Sequence, residues 1–263
     1  MTDRTLTVLV AGGSGPSGIA VARTLAHAGM TVYTVGSDST RIAAAAETAG
    51  SGVIPLTCDL AVLPAVRELH DELTSRAGRI DGVIHLVGGW RGARGIADQS
   101  DEDWDFLETS SLTTLRNVTR VFYGDLVASD NGRFAMVSST AVTAPAAAVA
   151  SYVAAKAAAE AWTMAVADGF QRDQLKGTAG QSSPELTSPP GLPSAPELQD
   201  GPELHSAAVV LVLKALVDPA MRSRHPERRF PGFTDVEDLA AAVVGLFEKP
   251  AAELNGQRIL LTP

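Results

Sequence analysis

Several features that often direct the reading of a sequence are scarce here. Of 263 residues one is cysteine, Cys58, so no disulfide can form within the chain and a reducing compartment is the expected setting. Aromatic residues make up 5% of the chain, and the five histidines show no paired spacing of the H-E-x-x-H kind, which argues against a metal centre. Basic residues are in deficit, 21 Lys and Arg against 30 Asp and Glu. The net charge of −9 argues against nucleic acid or an anionic membrane as a main partner. Long apolar runs are also missing. Leu6 to Val10, which follows the polar Met1-Thr2-Asp3-Arg4, has the length of a strand and is too short for the core of an export signal. Ala207 to Leu213 stops at Lys214, far short of a bilayer. These absences predict a cytoplasmic protein.

What is present is an alternation. Short β-branched runs at Thr5–Ala11, Thr31–Val35, Gly52–Leu56, Gly82–Val87, Arg133–Ser138, Ala207–Leu213 and Arg258–Leu261 are separated by helical patterns. The helices expected are Ser17–Ala28, Arg41–Ala49, Leu63–Ala77, Trp104–Ala128, Tyr152–Asp168 and Asp235–Glu248. This rhythm predicts an α/β fold built on a parallel sheet with helices on both faces. Thr234 with Glu237, and Ser100 with Asp103, have capping-box spacing before two of these helices. Gln171 to His205 breaks the rhythm, holding six of the fifteen prolines and no apolar periodicity. We read it as a Pro/Ser/Gly-rich insertion at about 171–205 within one domain spanning 1–263.

Val8-Leu9-Val10-Ala11-Gly12-Gly13-Ser14-Gly15-Pro16-Ser17-Gly18-Ile19-Ala20 joins the first strand to the first helix. Glycines allow a tight turn and the approach of a pyrophosphate to N–H groups at a helix start. Small residues at Gly18 and Ala20 let that helix pack close to the sheet. Such a turn can also be a plain structural connection, but its place after the first strand of a βαβ chain favours nucleotide binding.

Ser151-Tyr152-Val153-Ala154-Ala155-Lys156 opens an alanine-rich helix. A spacing of four sets Tyr152 and Lys156 on one helix face. An ammonium beside a phenol favours the phenolate, so the pair is expected to lower the tyrosine toward the working range of an acid–base catalyst. Ser139 ends the preceding strand thirteen residues before Tyr152, and Ser138 reads as a structural hydroxyl.

In this order the glycine turn, Asp59 at the end of the third strand, Ser139, Tyr152 and Lys156 resemble the short-chain dehydrogenases over Thr5 to about Phe170, and again from about Ala207. The resemblance implies a Rossmann-type doubly wound, mainly seven-stranded sheet. It also implies an NAD(P)-dependent oxidoreductase interconverting a carbonyl and an alcohol. Gly12, Ser14, Gly15, Pro16, Ser17, Gly18 and Ile19 would cradle the cofactor phosphates, and Asp59 with Leu60 its adenine. Asp59 also suits a helix cap. The position where NAD-preferring members carry an acid falls on Gly36, while Ser37 and Arg41 are placed to receive a 2′-phosphate. Asp38 argues the other way, and Arg41 also reads as a solvated helix residue. NADP(H) is favoured over NAD(H).

Lys156 would hold the nicotinamide ribose, Ser139 would orient the carbonyl, and Tyr152 would protonate it. Gly88 would lie against the cofactor. Four departures stand out: Pro16 in place of a glycine; His85-Leu86-Val87-Gly88-Gly89 in place of N-N-A-G; Ser111 where many members anchor a relay water with asparagine; and Lys214 to Met221 in place of Pro-Gly and Thr, with Pro219 at the threonine. His85 reads as a buried, satisfied ring. Trp90 and the Ala/Val-rich loop from Thr140 to Ser151 suggest an apolar or aromatic small-molecule carbonyl substrate, and each also reads as packing. The insertion, at the edge away from the site, is not expected to be a substrate lid. Arg222, Arg224, Arg228 and Arg229 suit either an acidic substrate or a solvated loop. The family implies a homodimer or homotetramer. An epimerase or dehydratase on the same fold, or a catalytically weak nucleotide-binding protein, remain alternatives.

Overall fold

The computed structural model describes residues 5–179 and 204–261. Its first half alternates strictly through β1 (Thr7–Ala11), α1 (Pro16–His27), β2 (Thr31–Gly36), α2 (Ser39–Ala49), β3 (Val53–Thr57), α3 (Leu63–Ala77) and β4 (Gly82–His85). The second half begins with α4 (Asp101–Glu108), α5 (Thr114–Ala128), β5 (Gly132–Ser139), α6 (Ala150–Ala179) and β6 (Ser206–Leu213). It continues through β7 (Leu216–Val217), α7 (Pro219–Arg224), β8 (Thr234–Asp235), α8 (Val236–Glu248), α9 (Ala251–Leu254) and β9 (Arg258–Leu260).

Seven parallel strands form one sheet in the order β3-β2-β1-β4-β5-β6-β9. This is the doubly wound α/β arrangement that the alternation implied. Side chains alternate between two buried layers. In β1, Leu9 and Ala11 join the core under α3, α5 and α6, whereas Val8 and Val10 join the core under α1 and α8. Strand order reverses between β1 and β4, which opens a crevice beyond their carboxyl ends.

Local chemistry moved several boundaries. Pro16 is the first residue of α1, where its missing N–H costs nothing, and Gly15 is the cap. Ser100 caps α4 as its spacing implied, accepting from the Asp103 N–H at 3.2 Å. Thr234 does not cap α8. It lies in β8 and donates to the Leu261 carbonyl at 2.7 Å, while Asp235 accepts from the Glu237 N–H at 3.1 Å. The single helix expected over Trp104–Ala128 is interrupted by a π-turn at Thr109–Thr113. β4 ends at His85, which frees Leu86 to Gly88 to line the crevice.

The helix that begins near Tyr152 runs to Ala179, so residues 171–179 of the expected insertion are helical. The remainder of that segment, 180–203, lies outside the described residues. Its described flanks meet at the amino edge of the sheet. There the Gln174 side chain accepts from the His205 N–H at 3.0 Å and donates to the Ser206 hydroxyl at 2.8 Å. Among the described residues no helix is long and apolar enough to cross a membrane.

Candidate active site

The crevice holds two connected hollows. The first, about 380 Å³, is lined by the glycine turn (Gly12, Ser14, Gly15, Ser17), by Gly36 to Asp38 with Arg41, by Cys58 to Leu60, and by Leu86 to Gly88 with Thr114. The second, about 290 Å³, shares Ser17 and Leu86 to Gly88, and is walled by Trp90, Tyr152, Lys156 and Lys214 to Leu216. Such volumes are those of small-molecule sites.

The glycines act by close approach. Gly12 has φ +87°, and a Cβ there would lie 2.8 Å from the Leu86 carbonyl carbon. A Cβ at Gly18 would lie 2.5 Å from the Gly12 oxygen, so only glycine lets α1 begin against the turn. Pro16, Gly18 and Ile19 lie in the first turn of α1 and do not line the hollow, although Gly15, Ser14 and Ser17 do. The α1 N-terminus, two serine hydroxyls and the glycine backbone suit an anionic pyrophosphate. A Cβ at Gly36 would meet the Ser14 hydroxyl at 2.6 Å, so an acidic side chain there would displace Ser14. Asp38 is spent on capping, its carboxylate accepting from the Arg41 N–H at 2.8 Å. Asp59 does not cap α3, which starts after Val62. It accepts from the Ala61 N–H at 3.0 Å and presents its edge to the hollow. Burial pushes the neighbouring Cys58 thiol up to about 11, so it is inert as a nucleophile at neutral pH.

At the other end, β5 and α6 interlock. The Ser139 hydroxyl faces the Tyr152 phenol and accepts from the Ala141 N–H at 3.2 Å. Lys156 donates to the Val137 carbonyl at 3.0 Å. The ammonium does not depress the tyrosine as the spacing alone suggested. Burial raises the Tyr152 phenol, and Ser139 pulls the other way. Lys156, buried at the pocket wall, is lowered to about 8 by burial, against an opposing pull from Glu160.

Ser111 sits in the π-turn, buried, and its hydroxyl has no hydrogen-bond partner among the described residues. A Cβ at Gly88 would lie 3.2 Å from the Lys156 ammonium nitrogen and 3.5 Å from the Ser111 hydroxyl, so all three converge. His85 is buried, as its position implied. Its Nε2 lies 3.0 Å from the Thr114 hydroxyl, whose proton goes to the Ser110 carbonyl at 2.7 Å. Nε2–H is therefore the donor. Trp90 stands at the mouth, 64% exposed. Pro219 is the first residue of α7, behind its Asp218 cap, and Lys214, Ala215 and Leu216 make the pocket wall instead. Lys214 donates to the Pro231 carbonyl at 3.2 Å, and Arg228 lies over the Phe230 ring. Sequence reasoning passed over Thr114 and Glu160. The latter was signalled by its spacing of four beyond Lys156.

Residues 6–179 match the family described as short chain dehydrogenase. The chain belongs to that family. Short-chain dehydrogenases are NAD(P)-dependent oxidoreductases acting on CH–OH and C=O groups, which is the class the resemblance implied. A 3beta-hydroxysteroid dehydrogenase of Mediterraneibacter gnavus is 30% identical over 163 residues, 61% of this chain and 59% of that protein. The chain thus matches less than two thirds of that relative's length. The fold is shared with a 3-ketoacyl-(acyl-carrier-protein) reductase of Brucella melitensis complexed with NADH (TM-score 0.76, 16% identity, 98% of this chain and 96% of that one). It is shared equally with a short-chain type dehydrogenase/reductase of Mycobacterium ulcerans (TM-score 0.76, 19% identity, 99% and 90%).

Proposed function

We propose that this short-chain dehydrogenase is an NADP(H)-preferring carbonyl reductase for an apolar small molecule, with Tyr152 as the proton donor. The observation that carries the reading is the Ser139–Tyr152 pair beside Lys156, opening on a pocket continuous with the glycine-lined crevice. A nicotinamide dinucleotide, when bound, supplies the hydride. The chain's own residues do the rest. Gly12, Ser14, Gly15, Pro16, Ser17, Gly18 and Ile19 form the turn and helix start that take the phosphates. Asp59 and Leu60 bound the adenine end, and Gly88 leaves room beside Lys156.

Lys156 binds ribose hydroxyls. Ser139 and Tyr152 hydrogen-bond the carbonyl oxygen, and a phenol kept protonated by burial gives that oxygen its proton as the alkoxide develops. Ser111, with a free buried hydroxyl facing Lys156, resupplies the proton through water. NADP(H) preference is supported by Gly36, which leaves no acid to hold ribose hydroxyls, and by Ser37 and Arg41 on the same wall. The apolar substrate is supported by Trp90, Val137, Leu213 and Leu216 around Tyr152, and by the relative named for a hydroxysteroid. We assign the chain one domain, a cytoplasmic setting and a homodimer or homotetramer, as family membership suggests.

The test follows nicotinamide absorbance with NADPH and NADH across a panel of apolar ketones, including 3-oxosteroids. Turnover should appear with NADPH at lower KM than with NADH. Arg41→Ala should raise the NADPH KM about tenfold, the worth of one charge-assisted hydrogen bond, and leave that for NADH within about twofold. No turnover of any ketone with cofactor bound, or equal loss with both cofactors, contradicts the reading.

A further inference from the structure

Behind the site lies a carboxylate that the reaction as described does not use. Glu160 is 7% exposed and follows Lys156 by one helical turn, as Lys156 follows Tyr152. These three residues on one face of α6 meet three consecutive residues of β5. Tyr152 meets Ser139, Lys156 meets the Val137 carbonyl, and Glu160 accepts from the Ser138 hydroxyl. Glu160 is held from the far side by Arg258 of β9, with Nε to Oε2 at 2.7 Å and a second nitrogen to Oε1 at 3.2 Å. Ser138 and Arg258 together leave the carboxylate bonded at both oxygens.

The ion pair is only half-buried, with 10% of the Glu160 side chain and 36% of the Arg258 side chain exposed, so water screens it and it is a weak source of stability. Its position is therefore informative. Lys156 is buried, and among the described residues no carboxylate is bonded to it. It faces His85 from β4, Tyr152 and Glu160 from its own helix, the Val137 carbonyl from β5, and the uncharged Ser111 from the π-turn, with Lys214 across the pocket. Glu160 is the one negative charge in that set. An ammonium there is disfavoured by burial, and a negative charge one turn away opposes the loss of its proton.

We propose that Glu160 is a positioning residue of the active site, holding Lys156 as an ammonium by its charge and fixing the register of α6 on β5 through Ser138, with Arg258 setting how much of that charge Lys156 feels. The assignment rests on the reading of Lys156 as the cofactor-binding lysine, but its measurement does not require turnover.

The chain has four lysines, Lys156, Lys176, Lys214 and Lys249, so labelled lysine side chains give few NMR signals and Lys156→Met identifies the relevant one. Titrating that signal in the full-length protein from pH 6 to 11 gives the midpoint for Lys156 directly. Wild type should titrate near 8. Glu160→Gln, close in shape, should move the midpoint down by about one pH unit. Arg258→Met removes a competing positive charge and should move it up. NADPH affinity, measured by fluorescence against pH, should fall off at the same shifted midpoints. An unmoved midpoint in Glu160→Gln overturns the proposal, and so does movement of both variants in one direction, which is the mark of a loosened core. Should Glu160→Gln not fold, an unchanged or lowered midpoint in Arg258→Met alone overturns it. If the two variants show these shifts but the wild-type protein binds no dinucleotide, the functional reading is contradicted and the tuning of Lys156 stands.

Discussion

His85 illustrates what burial does to one residue. Its ring is pushed down to about 3, first by desolvation and then by the Lys156 charge. The unfolded chain takes up a proton on this ring as pH falls through about 6.5, and the folded chain refuses it until about 3. Stability is therefore complete above about 6.5 and is lost as pH falls through this window. His85→Asn keeps a donor toward Thr114 and has nothing to titrate. Urea midpoints at pH 7 and pH 5 should drop less for the variant than for wild type. Equal drops would mean that His85 accepts its proton in the folded state. The ring was legible as a buried structural group because it ends a short apolar strand. Its donor atom was not, since that depends on where Thr114 sends its own proton.

Elements set the distances that the side chains use. α1 starts where it does because Pro16 suits a first turn and Gly18 lets the helix touch the turn before it. Gly18→Ala places a methyl 2.5 Å from the Gly12 oxygen, and overpacking of this kind costs about 1–3 kcal/mol. Denaturant unfolding should show that loss, together with weaker binding of both NADPH and NADH. Gly15→Ala adds a methyl with nothing within 4 Å and should leave stability nearly unchanged. If the two variants unfold alike, the close approach of α1 to the turn is not what requires glycine.

The strand and helix order could be read from periodicity because both faces of each central strand are buried. Helix interruptions and ends were less legible. Thr109 to Thr113 carries no glycine or proline to announce a π-turn, so the loosening that sets Ser111 toward Gly88 is a property of packing. The extension of α6 past Asp168 was masked by a composition rich in polar residues. Its anchor, Gln174 on the start of β6, is a tertiary contact. The Thr234 capping box failed for a similar reason, since β8 takes that hydroxyl for Leu261.

At the scale of the whole molecule, two hollows far apart in sequence become one crevice because strand order reverses between β1 and β4. The glycine turn, Asp59 and Gly88 bound one end, and Ser139, Tyr152 and Lys156 the other. The motifs could be read individually, whereas their shared wall from Ser17 to Gly88 is set by the sheet. In the proposed reaction, this crevice brings a proton from Tyr152 to a carbonyl reduced beside Lys156. Single-turnover reduction of the best ketone by enzyme preloaded with NADPH, comparing wild type with Tyr152→Phe, tests this most directly. Loss of general acid catalysis should slow the variant by about 10²–10⁴-fold while its NADPH affinity stays within about threefold of wild type. Equal single-turnover rates for the two proteins would contradict it.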